Sequence, residues 1–412
     1  MKIVHKGHLY WPSTLKHTNT YPPLGQAMEA DVAIIGSGIS GSICAYMLAK
    51  TGLRTVLLDR GEIAAASTMA NTGLLQFCND IMLCDLIDQI GERDAVSFYK
   101  GCRDAIRQIG QITDELGTEV GFQPKKSLYY ASTEQEAPKL RREYETLKRH
   151  GFDVEYWDAP AIADHFPLRK PGGAIVTHGD AALNPFRFVH AIVDAAASRH
   201  QLVVHEQTDI SSHETDGDGT HVLHTSAGPS IRAKHVIYAI GYEREELRSQ
   251  LIRSTMNRTY AIVTEPQLHE PKLKAYADYF FWETARPYFY MRITEDGRVI
   301  AGGGDEESNR LLKEEAAQKY SEQLHRIVRS LYPSFDAPVE YEWNATFGAS
   351  RDNLPFIGAD PSWPGVYYCL VYGGNGTVYS MMGADILLAL IAQREHPLSR
   401  IVALDRPSLQ PI

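Results

Sequence analysis

The first strong pattern along the chain is a continuous apolar run, Val32-Ala33-Ile34-Ile35, of the kind found in a strand covered by helices on both faces. After a short glycine-rich stretch, Ile43, Met47 and Leu48 recur at helical spacing, and Thr55 to Leu58 form a second apolar strand ending at Asp59. Helical periodicity then runs from Asp94 to Leu116 and from Ala137 to His150, with a strand at Ser127 to Ala131 between them. Strands are predicted over Arg258 to Glu265, Tyr279 to Glu283, Tyr288 to Thr294 and Arg298 to Gly302, a set that reads as a mostly antiparallel sheet. Glu314 to Leu331 is predicted helical, with Leu324, Ile327, Val328 and Leu331 at core spacing. The fold class that follows is α/β with an α+β second part, and no internal repeat or low-complexity linker interrupts it.

The glycine-rich stretch is Gly36-x-Gly38-x-x-Gly41, placed between the first strand and its helix. In a dinucleotide site Gly36 turns the chain, Gly38 lets backbone approach a pyrophosphate, and Gly41 lets the helix pack close to the strand. The helix N-terminus, at Ile39 and Ser40, supplies N–H donors to the phosphates. Asp59, followed by Arg60, sits where a carboxylate accepts hydrogen bonds from a ribose and disfavours a 2′-phosphate. A glycine-rich turn in another α/β protein would carry the same three glycines, but strand, helix, second strand and terminal acid all fall in order here. The motif by itself does not separate FAD from NAD.

Composition narrows the classes. The 412 residues are 44% hydrophobic and 22% charged, which excludes disorder and collagen-like architecture. With 51 acidic against 41 basic residues the net charge is -10, and no Lys/Arg block stands out, so nucleic acid is not an expected partner. Five cysteines show neither disulfide-scaffold nor zinc-site spacing, which fits a reduced cytoplasmic compartment. No segment reaches the roughly 18 apolar residues that span a bilayer. His213, His221 and His224 cluster in sequence, but the last two are an odd distance apart in a probable strand beside an Asp-Gly turn, so no metal site is expected.

The segment after Asp59 resolves which dinucleotide is meant. GEIAAASTMANTGLLQFCND resembles the FAD-contact segment of the D-amino-acid oxidase superfamily, which includes glycine oxidase, sarcosine oxidase and γ-glutamylputrescine oxidase. The matching residues are Ser67, Thr68, Asn71, Thr72 and Gly73, with Leu74 next to them. DNLPFIGADPSWPGVYYCLVYGGNGTVYSMMGADILLALI is similar to the family's closing block, through Asp352, Leu354, Pro355 and Gly358 and then Gly373, Gly374, Asn375, Gly376 and Thr377. EQTDI, Glu206 to Ile210, resembles the strand whose backbone meets adenine, and HVIYAIGYE, His235 to Glu243, resembles the strand that passes the adenosine end through Ala239 and Gly241. These matches, in family order, span nearly the whole chain and imply FAD. They also imply that a helix opening at the last glycine turn lies beside the flavin pyrimidine ring, where its N-terminus would stabilise negative charge. Members that bond the flavin covalently use a His or a Cys at positions filled here by Ala70 and Ala345, so the resemblance implies noncovalent FAD.

Gly302-Gly303-Gly304 follows a strand but precedes DEESNR, which cannot begin an apolar helix face, so no second dinucleotide fold is expected. Electrons must then enter from a directly bound organic substrate. A period of two places Tyr288, Tyr290 and Arg292 on one face of their strand and Phe289, Met291 and Ile293 on the other. Two phenols and a guanidinium suit a pocket that grips a carboxylate, although they also suit a polar domain interface. Pro287-Tyr288 resembles the family's Pro-Tyr strand start, whose tyrosine amino-acid oxidases use against the substrate carboxylate. The family's carboxylate-binding arginine positions, however, are Phe347 in one branch and Gly73 and Gln76 in another. Either Arg292 or Arg351 substitutes from another wall, or the substrate is an amine without an α-carboxylate. Asp80 either pairs with a substrate ammonium or caps a helix starting near Ile81.

The expected architecture is a discontinuous, Rossmann-like FAD-binding domain made of residues 1–105, 171–250 and 345–412, with a substrate domain of residues 106–170 and 251–344. The expected function is FAD-dependent oxidation of the C–N bond of an amine or amino acid by hydride transfer to flavin N5, the imine then hydrolysing. Oxygen or an electron carrier takes the electrons. A dehydrogenase of a hydroxy acid or polyol that feeds a quinone or carrier stays open, as does a flavoprotein whose FAD is structural and whose face binds a partner.

Overall fold

A computed structural model describes residues 3–168, 172–242, 252, 254–267 and 273–409. The two apolar runs read from the sequence are the middle of a sheet that has eight strands among the described residues, where Val32, Ala33, Ile34, Val56, Leu57 and Leu58 have no exposed surface. Its main strand order is Phe356–Ala359, Val366–Leu370, Ser230–Tyr238, Met28–Ile35, Thr55–Leu58 and Val203–His205, and all neighbours after the first pair run parallel. Alternation sends Val32, Ile34 and Leu57 into a core with the helices Ile39–Ala49 and Gly376–Ile391. Each such side chain, fully buried, contributes about 1.5–3 kcal/mol. The opposite face departs from expectation. Ala33, Val56 and Leu58 are covered by Leu24, Leu223, Leu404 and Leu409, from loops, a strand and a short terminal turn, and not by a second helical layer.

The second sheet has ten strands among the described residues, in the order His5–His8, Val339–Ser350, Ser254–Thr264, Val299–Glu307, Phe289–Ile293, Tyr279–Glu283, Gln123–Tyr130, Ala174–Ala182 and Leu74–Leu75, with Val154–Trp157 also on Ala174–Ala182. It is antiparallel except between Tyr279–Glu283 and Gln123–Tyr130. Phe289, Met291 and Ile293 pack with Leu324, Val328 and Leu331 of the helix Glu314–Leu331 in one core. Tyr290, on the opposite face of the same strand, packs against the core that holds Val32, Ile34 and Leu57. His5–His8, Leu74–Leu75 and Ala174–Ala182 fall in segments expected for the nucleotide part, yet hydrogen-bond within this larger sheet.

One strand read from the sequence is a bend. Val203–His205 and Ile210–Thr215 are separate strands, and Glu206 to Asp209 turn between them, with Gln207 at φ +48°. Burial of the Glu206 carboxylate drives the bend: it accepts hydrogen bonds from the Tyr21 and Ile63 N–H groups, at 2.8 Å each. Glu243, at the end of the adenosine-side match, lies outside the described residues. Among the described residues no helix is long and apolar enough to cross a membrane.

Candidate active site

The turn from Met28–Ile35 into Ile39–Ala49 depends on its glycines. Gly36 has φ +102°, and a Cβ there would lie 2.4 Å from the Ala239 carbonyl oxygen; one on Gly41 would lie 1.8 Å from the Gly36 carbonyl oxygen. Gly38 differs, because a Cβ would meet only Thr68 Oγ1, at 3.5 Å, and its bare backbone borders open space. That space is a cavity of about 650 Å³, ordinary for a cofactor site. Gly36, Gly38, Ile39, Ser40, Asp59, Arg60, Ser67, Thr68, Asn71, Ile210, Ala239, Gly241 and Gly376 all line it. Thr68 Oγ1 accepts from the Ile39 N–H at 3.0 Å, which ties the Ser67 segment to the helix start. Asp59 is fixed at the strand tip, its Oδ2 accepting from Ser37 N–H and Oγ–H at 2.6 and 2.8 Å and its Oδ1 from Gly61 N–H at 2.8 Å. A side-chain-free cradle, a helix N-terminus and a carboxylate on one long cleft fit an adenine dinucleotide.

His213, from the histidine cluster, lines this cleft. His213 stacks on Trp363 with ring centroids 4.1 Å apart, and its nitrogens meet the Tyr238 hydroxyl at 2.8 Å and His221 Nδ1 at 3.0 Å. Burial, with His221 adding, lowers the His213 pKa to about 4, so the ring is neutral. Among the described residues no group of three or more His, Cys, Asp or Glu is placed to hold a metal.

A second cavity, of about 150 Å³, adjoins the first and shares Ser67, Asn71, Tyr242 and Gly376 with it. Of the residues singled out in the sequence, Thr72, Leu74, Gln76, Tyr288, Tyr290, Gly373, Gly374 and Asn375 line it. Gln76 is held by Ser127, whose Oγ accepts from Nε2 at 3.1 Å, and Ser127 in turn donates to buried Asp180 at 2.6 Å. Asn375 Nδ2 donates to the Gln76 carbonyl at 2.6 Å, which docks the start of the helix Gly376–Ile391 against this wall. Tyr288 donates to Asp80 Oδ1 at 3.1 Å, and Asp80 Oδ2 accepts from the Gly374 N–H at 3.0 Å. Burial raises both Tyr288 and Tyr290, and the carboxylates of Asp80 and Asp305 reinforce it, so the two phenols stay protonated donors.

Asp80 therefore faces the cavity and does not cap a helix. The helix begins at Leu83, and its first N–H groups, on Leu83 and Cys84, are capped by the buried Glu143 carboxylate at 2.8 Å each.

Two expected placements are corrected, those of Arg292 and Arg351. Arg292 does share the strand face of Tyr290, but its guanidinium donates to the carbonyls of Thr72 at 2.8 Å and Leu183 at 3.1 Å beside the Trp11 ring, outside the cavity lining. Burial lowers its pKa to about 10. Arg351 is exposed and lines neither cavity. Gly41, Gly73 and Thr377 support the site from behind. Asn71 Oδ1 accepts from Gly73 N–H at 2.6 Å, and buried Thr377 lies 3.5 Å from Asn71 Nδ2. Together with Arg292, the indole N–H groups of Trp11, to the Asn71 carbonyl, and of Trp343, to the Ala70 carbonyl at 3.1 Å, clamp this segment.

Asp305, Thr259, Trp282 and Asn79 line the second cavity and were not singled out in the sequence. Asp305 reaches it through a bulge. Tyr260 pairs with Gly303 but Arg258 with Glu306, so an extra residue is inserted where Gly303 and Gly304 have φ +139° and +71°. Gly302 contributes by close approach, since a Cβ there would lie 2.3 Å from the Tyr290 hydroxyl. Burial, with Asp80 adding and a Thr259 hydrogen bond opposing, pushes the Asp305 carboxyl up to about 6.

The family described as "FAD dependent oxidoreductase" matches residues 31–390. The chain is 23% identical over 399 residues to gamma-glutamylputrescine oxidoreductase of Escherichia coli (strain K12), covering 90% of this chain and 87% of that protein. It is 23% identical over 376 residues to glycine oxidase of Geobacillus kaustophilus (strain HTA426), covering 89% and 93%. The crystal structure of glycine oxidase from Geobacillus kaustophilus superposes with a TM-score of 0.78 at 19% identity, over 92% of this chain and 99% of that one.

Proposed function

The chain belongs to the FAD-dependent oxidoreductase family, and from that premise we propose that it oxidises the C–N bond of an amine held in the smaller cavity. The observation that carries this reading is a substrate-sized cavity of phenols and carboxylates adjoining the dinucleotide cleft at Asn71 and Gly376. Relatives named for glycine and for γ-glutamylputrescine support a nitrogen-bearing substrate. Bound FAD supplies the acceptor for the hydride leaving the donor carbon. The turn from Gly36 to Gly41 would hold its pyrophosphate, Asp59 its ribose, Ile210, Ala239 and Gly241 its adenosine end, and the residues Gly373 to Gly376 its ring. Ala70 and Ala345 offer no nucleophile to the cavity they line, and burial keeps the Cys78 thiol far above its ordinary pKa, which supports noncovalent FAD.

Tyr288 and Tyr290 orient the amine and exclude solvent from the donor carbon. The imine hydrolyses in water. In our reading the residues of the larger sheet form the substrate part and those of the smaller sheet the nucleotide part, so His5–His8, Leu74–Leu75 and Ala174–Ala182 move from the expected nucleotide segments to the substrate part. Five buried cysteines without a disulfide support a cytoplasmic setting. Two carboxylates in the cavity favour an amine over a hydroxy acid, and an open cavity favours an enzyme over a purely structural flavin.

The test is the visible spectrum of purified protein under argon while amines, amino acids and hydroxy acids are added singly. Bleaching of the flavin band by an amine is expected, and the rate of recolouring in air identifies oxygen or a separate carrier as acceptor. Bleaching by hydroxy acids alone, or a colourless protein that takes up no FAD, overturns the proposal.

A further inference from the structure

The smaller cavity is lined by two carboxylates and, among the described residues, by no Lys, Arg or His. Phe347 lines the cavity with an apolar ring and Gln76 with a neutral amide, the positions at which the resemblance implies that relatives carry an arginine. Arg292 is committed to two backbone carbonyls, and Arg351 is exposed elsewhere. Arg286 sits at the rim, donating at 2.9 Å to the backbone carbonyl of Asp80 and leaving its carboxylate alone.

The two carboxylates differ in what they still lack. Asp80 is satisfied by the Tyr288 hydroxyl and the Gly374 N–H. Asp305 Oδ1 is shut off from solvent and has no hydrogen-bond partner, although the Gly303-Gly304 bulge aims it at the cavity. A buried carboxylate oxygen without a donor is costly, and a donor arriving with a ligand removes that cost. A second orphan stands beside it: Trp282 is only 4% exposed, lines the same cavity, and its indole N–H has no acceptor. Trp282, Tyr288, Tyr290 and Phe347 further make the lining aromatic, although Trp282 stacks on Tyr129 and the Tyr288 ring already carries the Arg286 guanidinium.

Resting on the amine reading above, we propose that Asp305, backed by Asp80, makes this pocket select an amine that arrives as a cation, gives up one N–H proton to solvent before the hydride leaves its carbon, and carries no carboxylate beside that carbon. A second anion held next to Asp305 would meet like charge in a low-dielectric site that no described basic side chain lines, the Arg286 guanidinium acting on Asp305 only from the rim. The Trp282 N–H instead suits a neutral oxygen acceptor on the ligand.

The test uses FAD-loaded protein and two probes of similar size and opposite charge, tetramethylammonium and pivalate, titrated by calorimetry and by the shift of the flavin band. Tetramethylammonium is expected to bind at least tenfold more tightly than pivalate, and Asp305→Asn to weaken the cation at least fivefold with an unchanged circular dichroism spectrum. The wild-type comparison decides the matter even if that variant fails to fold. Pivalate binding equal to or tighter than the cation, no cation binding at millimolar concentration, or an unchanged preference in Asp305→Asn overturns the inference. Amines that bleach the flavin while pivalate wins would leave the oxidation reading standing and remove this one. A cation preference with no amine bleaching the flavin would do the reverse.

Discussion

Replacing Asp305 with Asn should make the protein more stable at neutral pH, which is the opposite of what most substitutions at a pocket residue do. Burial holds the carboxyl at about 6 against 3.8 in the unfolded chain. At 1.36 kcal/mol per pH unit this gap costs the folded state about 3 kcal/mol once Asp305 is ionised. The folded state binds the proton more tightly than the unfolded one. Stability from this group is therefore full below about pH 4, falls as the pH rises to about 6, and is constant above. Asn keeps the shape and cannot ionise, so the variant should exceed wild type by up to about 3 kcal/mol at pH 8 and match it near pH 4. Urea unfolding of the flavin-free protein at both pH values, with equal m values, reads this directly. Equal stability at pH 8, or the same difference at both, would show that Asp305 is solvated and that the pocket account is wrong. The same substitution is expected to lose the cation, so stability and binding should move in opposite directions.

Three other substitutions probe separate parts of the account. Gly38→Val places a side chain in the open part of the nucleotide cleft with only Thr68 Oγ1 near its Cβ, so a folded but colourless protein is expected, by circular dichroism and flavin absorbance. Arg292→Ala leaves the buried carbonyls of Thr72 and Leu183 without a donor, at about 1–3 kcal/mol each; the melting temperature and FAD retention should fall while the preference for cation over carboxylate holds, and a lost preference with an unchanged melt would put Arg292 in the pocket. Arg406→Ala strands Asp352, 1% exposed like its partner, and should cost about 3–5 kcal/mol in a thermal melt at pH 7. Burial pushes the Asp352 carboxyl up, but Arg406 outweighs it and leaves it below the usual range, so this contribution is present at neutral pH and lost as the pH falls through the carboxylate range.

Where period and local chemistry agree, the sequence reads well. Tyr279–Glu283 and Glu314–Leu331 have the predicted bounds, and the strand, glycine turn and helix from Met28 to Ala49 follow the expected order. Asp305 escaped because strict alternation along Val299–Glu307 assigns its side chain to the wrong face, and only the bulge corrects it. Arg292 was given the right face, but what lies over that end of the strand comes from Thr72 and Leu183, far away in the chain. Asp80 was ambiguous for the same reason, since its competitor for the helix cap, Glu143, lies 60 residues from Leu83. The bend at Glu206 likewise answers to Tyr21 and Ile63, and no local pattern reports them.

The strand order of the smaller sheet also sets a timetable for biogenesis. Met28–Ile35 emerges early in synthesis, but one of its neighbours is Ser230–Tyr238, and the next strand in that direction is Val366–Leu370. The helix whose first turn borders both cavities begins only at Gly376. A nascent chain on the ribosome thus carries an apolar strand with one unsatisfied side for some 200 residues of translation, the period in which a chaperone has most to shield. The wall that this helix gives the cleft is accordingly made only when nearly the whole chain has been synthesised.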